Sequence, residues 1–156
     1  VSHYIGHARV STEMADAIMH RLRYGAADIR AVTELVRYHD GVIDGTEKAV
    51  KRRLAQLGEK QFFRLVDLKR ADNAAQTADP DFRRDCAEQL KTIARGIISR
   101  EDCLSLKNLS VNGSDLLALG LSGRDIGTAL DSMLNAVIDG NVANEKSRLI
   151  EWYFGK

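Results

Sequence analysis

The sequence has little of what builds sheets, covalent staples or membrane spans. It holds one proline, two cysteines and one tryptophan in 156 residues, and only 6% of it is aromatic. Cys86 and Cys103 lie in separate amphipathic stretches, which excludes a disulfide framework and a zinc quartet, so a reducing cytoplasm is expected. No apolar run approaches the roughly 18 residues that a spanning helix needs, and no membrane partner is expected. Strand signals are nearly absent. All four histidines fall within the first 39 residues, leaving Ser105, Ser110 and Ser114 without a histidine neighbour for nucleophilic catalysis. Gly120 and Gly123 follow no strand and lack a phosphate-loop lysine, so they make no nucleotide-binding loop.

What is present is helical periodicity from end to end, with 44% hydrophobic residues to build a core. The spacing predicts helices over about 7–22, 27–39, 46–57, 59–76, 80–99, 114–119, 124–139 and 144–154. Inward stripes are expected at Val10, Met14, Ile18 and Leu22 on the first helix, which is expected to end at Gly25. On the second they are Ile29, Val32, Leu35 and Val36, and on the fifth Phe82, Cys86, Leu90, Ile93 and Ile97. Thr46 is the expected N-cap of the third helix, Asp79-Pro80 opens the fifth, and Ser114 caps the sixth. The run CLSLKNLSVNGSDLLALGLSGRDIG holds Gly113, Gly120 and Gly123. Each costs about 1 kcal/mol inside a helix, so the run must fold back on itself as short helices. Val1 is not methionine and SHYIGHA reads as mid-domain sequence, so an excised portion of a longer protein is expected.

The formal charge of +1 conceals a division. Residues 46–70 carry eight Lys/Arg against three Asp/Glu, and residues 101–156 carry five against eight. Lys48, Lys51, Arg52, Arg64, Lys69 and Arg70 form either a phosphate-binding surface or an ordinary solvated helix face. His39-Asp40 raises a second possibility, a metal-dependent HD-type phosphohydrolase with His7, His39 and Asp72 converging on one ion. The HDxGK continuation of that motif is missing.

The blocks GHARVSTEMADAIMHRLR, VRYHD, LKRADNAAQ, CLSLKNLSVNGSDLLALGLSGRDIG and LNAVIDGNVANEKSRLIEW, in that order, resemble the C-terminal half of bacterial CCA-adding tRNA nucleotidyltransferases of the poly(A) polymerase family. The CLSLKNLSVNG segment and the DGNVANE tail are the most specific. Many relatives have Pro-Gly-Pro where this chain has Ser122-Gly123-Arg124, and Pro-Asn-Glu where it has Ala143-Asn144-Glu145.

The resemblance implies an all-α chain. Residues 1–78 would form a helical body, the back half of an HD-like region, and residues 79–156 a small tRNA-binding tail domain. The partners it implies are tRNA and an N-terminal catalytic head of the same polypeptide. Mg and CTP or ATP would belong to that head, with no cofactor or catalytic residue in this portion. Lys48, Lys51, Arg52, Lys69, Arg70, Lys107 and Arg124 are the expected RNA contacts.

Overall fold

Turn residues delimit the helices closely. The structure, a computed structural model, describes residues 7–76 and 80–155, and their side chains except those of 73–76 and 80–84. Among the described residues there are eight α-helices and no strand. They are α1 (His7–Arg21), α2 (Ala26–Tyr38), α3 (Glu47–Leu57), α4 (Glu59–Gln76), α5 (Pro80–Ser99), α6 (Gly113–Ala118), α7 (Arg124–Ile138) and α8 (Lys146–Phe154). A 3-10 turn, Leu106–Asn108, precedes α6. The chain is all-α. No helix among the described residues is long and apolar enough to cross a membrane. Asp79 and the Phe82 side chain lie outside the described residues.

By packing, the chain forms two units, residues 1–45 with 57–92 and residues 46–56 with 93–156.

In the first unit α1 and α2 make a helical hairpin. α1 closes where Arg23 adopts a left-handed φ of 60° and the Tyr24 amide donates to the Met19 carbonyl at 3.1 Å. Gly25 does not end α1; it is the N-cap of α2. The inward face of α1 also differs from the expected one. Thr12 and Met19 are buried, with Ala8 and Ala15 partly so, while Val10, Met14, Ile18 and Leu22 are 43–59% exposed. Positions 8, 12, 15 and 19 keep to one side of a 3.6-residue helix, whereas steps of four drift about 40° each time. Thr12 is accommodated inside because its hydroxyl donates to the Ala8 carbonyl at 2.7 Å. On α2, Ile29 is buried and Val32 is exposed.

Phe62, Leu65 and Val66 of α4 are almost wholly buried. Gln61 donates to the Ala31 carbonyl at 2.8 Å, and Lys69 donates to the carbonyls of His39 and Gly41. The later residue on α4 meets the residues that follow α2, so the two helices run in the same direction. On α5 the buried stripe is Ala87, Leu90, Lys91, Ala94 and Ile97; Cys86 is exposed and Ile93 only partly buried. Small alanines and a neutralised lysine take the inward positions. Lys91 donates to Asp67 at 2.7 Å and lies 3.4 Å from Glu88.

The second unit is built around Leu109, Val111, Leu116, Ala129, Met133 and Leu149, with Cys103 among them. Burial pushes the Cys103 thiol up, which keeps it a protonated packing group. Thr46 caps α3, its hydroxyl accepting from the Ala49 amide at 3.3 Å. Asn112, not Ser114, caps α6: its side chain accepts from the amides of Ser114 and Asp115, and Asp115 accepts in return from the Asn112 amide.

The glycine turns now have a physical explanation. Gly120 at φ 91° lets the Leu121 amide reach back to the Leu116 carbonyl and end α6. Gly123, at φ 54° and ψ −125°, holds a conformation that L side chains rarely adopt, and it turns the chain into α7.

Asn144 ties the two most specific sequence segments together. Its amide oxygen accepts from the Ser110 amide at 2.9 Å, and its amide nitrogen donates to the Asn108 carbonyl at 2.8 Å. The Ser110 hydroxyl donates to the Asn144 carbonyl at 2.7 Å.

Candidate nucleic-acid interface

Most of the cations expected to meet RNA already face partners within their own unit. Arg52 makes a two-pronged pair with Asp139, and Lys48 lies 3.5 Å from the same carboxylate. Lys51 lies 2.9 Å from Asp102 and 3.1 Å from Glu47, and Arg100 pairs with both of those acids. Burial alone would lower the Lys51 ammonium, but hydrogen bonds and charge from Asp102 and Glu47 outweigh it and hold its pKa above the ordinary lysine value. Asp139 is held below the usual carboxylate range, chiefly by its hydrogen bonds from Arg52.

Lys48, Lys51 and Arg52, three of the four α3 cations, are thus gathered on acids of their own unit. Lys69 sits on the carbonyls at the end of α2, and Arg70 lies 3.8 Å from Asp67 and 4.0 Å from Glu88. Lys107 and Arg124 are exposed and make no ion pair among the described residues. They stand on separate elements, the 3-10 turn and the first position of α7.

A different cationic surface lies in the first unit. A groove of about 390 Å³ opens between α2 and α4, lined by Arg30, Lys60 and Arg64 together with Ala26, Ala27 and Ala31. Among the described residues Glu34 is the one carboxylate in that lining. Gln61, also in the lining, is held by Ala31 and lies 3.4 Å from Glu34; its side-chain oxygen accepts from Arg64 at 3.0 Å. Among the described residues none of the three cations makes an ion pair. Charge counting along the sequence took in both Lys60 and Arg64, but only Arg64 was named in the candidate surface, and Arg30 was missed. Arg30 lies outside that run, and only the alignment of α2 with α4 brings it to the others.

His7 and His39 do come together, with ring centroids 5.6 Å apart, and His7 lies 3.5 Å from Asp40. His39 also has a ring nitrogen 2.6 Å from the Val36 carbonyl. Asp72 is exposed on α4. Among the described residues no three His, Cys, Asp or Glu side chains form a group that could hold a metal ion.

Residues 4–153 match the model of the family described as tRNA nucleotidyltransferase domain 2. The chain belongs to this family. No curated protein and no solved structure gives a match. As a tRNA nucleotidyltransferase domain, the chain falls within tRNA processing.

Proposed function

We propose that this chain is the tRNA-binding and positioning portion of a nucleotidyltransferase that adds CCA or adenosines to RNA 3′ ends. The observation that carries this reading is the family match over residues 4–153. Nucleotide selection and bond formation belong to an N-terminal head on the same polypeptide, which would also hold Mg and CTP or ATP. The helices described here grip the folded RNA through its backbone and so fix where its 3′ end lies.

On this reading residues 1–78 act as the body and residues 79–156 as the tail, in the cytoplasm. Lys107 and Arg124, exposed and making no ion pair among the described residues, are the tail residues best placed for phosphate contacts. The alternative of a metal-dependent HD-type phosphohydrolase gains no support from the described residues, which offer no three-ligand cluster.

The test has two arms. The chain is titrated with labelled tRNA across a salt series, and it is incubated with tRNA, Mg and CTP plus ATP. Salt-sensitive binding without nucleotide incorporation is expected. Absence of tRNA binding at low ionic strength, or incorporation by the chain alone, would overturn the reading.

A further inference from the structure

We propose that the groove between α2 and α4 is a phosphodiester-binding site for folded RNA, with Arg30, Lys60 and Arg64 on the backbone phosphates. This rests on the tRNA-holding role proposed above and names the surface that performs it.

Three observations support the assignment. The first is charge: among the described residues three cations line the groove against Glu34 alone, and none of the three makes an ion pair. Asp28 and Glu59 belong to the same first helical turns but are outside the lining. The contrast with α3 is direct, because there Lys48, Lys51 and Arg52 are matched by Asp139, Asp102 and Glu47.

The second is preorganisation. Gln61 is held by the Ala31 carbonyl and in turn accepts from the Arg64 guanidinium, which limits the freedom that Arg64 loses on binding. Its remaining N–H groups are left to form charge-assisted bonds with phosphate oxygens.

The third is the nature of the remaining lining. Among the described residues it is, apart from the polar ones, alanine, with no aromatic ring on which a base could stack and no large apolar side chain to hold a peptide anchor. Small side chains let a ribose-phosphate strand approach the helix backbone closely. Such a surface reads backbone position and not sequence.

The test uses the 156-residue chain with labelled tRNA, titrated at several NaCl concentrations. Arg30→Gln, Lys60→Gln and Arg64→Gln are combined in one variant. A control, Arg9→Gln with Arg37→Gln and Arg148→Gln, removes the same charge from exposed positions outside the groove.

The groove variant is expected to bind about tenfold or more weakly near 0.1 M salt, with the log–log salt slope reduced by about two to three. The control should stay close to the unaltered chain. Unchanged affinity and slope in the groove variant, or equal losses in both variants, would overturn the groove while leaving tRNA binding in place. An unaltered chain that ignores tRNA would overturn the tRNA-holding role itself.

Should the triple variant fail to fold, lysine footprinting of the unaltered chain gives a second measurement. Bound tRNA is expected to shield Lys60 from an amine-reactive reagent. An unshielded Lys60 in the bound state would overturn the proposal.

Discussion

Arg52 holds Asp139 in a two-pronged pair, Nε to Oδ1 and Nη2 to Oδ2, each at 2.7 Å, across 87 positions of sequence. The pair fastens α3 to the C-terminal end of α7, where a carboxylate alone would face the helix's partial negative charge. Replacing Arg52 with alanine is expected to lower the melting temperature, and the loss should shrink in 1 M salt as screening weakens the pair in the unaltered chain too. A double-mutant cycle with Asp139→Asn checks the coupling: strictly additive losses would mean that the two side chains do not act together.

Acid should unfold the second unit through three carboxylates. Burial alone would raise Asp102, but hydrogen bonds from Lys51 and Arg100 outweigh it and lower its pKa. Lys146 and the Asn112 amide lower Asp115, and Arg52 lowers Asp139. Each folded pKa therefore lies below the unfolded value of about 4, so the unfolded chain takes up protons first as pH falls. The stabilisation is fully present above about pH 4 and is lost as pH drops through the folded values. Urea midpoints measured from neutral pH into the acid range should fall there, and less steeply for Asp139→Asn.

Asn144→Ala removes both side-chain bonds that hold residues 108–110. A loss of about 1–3 kcal/mol is expected in urea unfolding, since each such bond contributes roughly 0.5–1.5 kcal/mol. Asn144→Asp keeps the acceptor for Ser110 but sets a carboxylate against the Asn108 carbonyl. It should therefore not fully restore stability, and hydrogen exchange at the Ser110 amide should accelerate most in Asn144→Ala.

Backbone conformation gives opposite signs at two kinds of helix end. Arg23 and Glu101 hold left-handed φ values of 60° and 54° with side chains that disfavour them. Arg23→Gly or Glu101→Gly is expected to stabilise by up to about 1 kcal/mol. Gly123→Ala meets no neighbour within 4 Å yet adopts φ 54°, so it should cost about 1–2 kcal/mol from backbone strain alone. Thermal melts of the three variants decide the signs.

Several helix limits were legible because local chemistry marks them, such as Thr46 before α3 or Gly120 after α6. Helix faces were less so. α1 offers two periodic sides, and the more hydrophobic one, with Val10 and Met14, stays exposed because small Ala8 and Ala15 fit the inward side. Ser114 and Asn112 both suit a cap, and only the backbone path selects Asn112. The family was legible in the ordered blocks, most of all in the two segments joined through Asn144. The groove was not, because a run of basic residues does not reveal which carboxylates will face it, and Arg30 joins Lys60 and Arg64 only through tertiary alignment.

The parallel course of α2 and α4 has a mechanical consequence. Gln61 and Lys69 act as two pins about two turns apart, each seated on main-chain oxygen of the neighbouring segment. One pin would permit swivelling and none would permit sliding; two fix both angle and register. The positive groups at one end therefore keep a preset spacing, like the jaws of a calliper locked before the workpiece arrives.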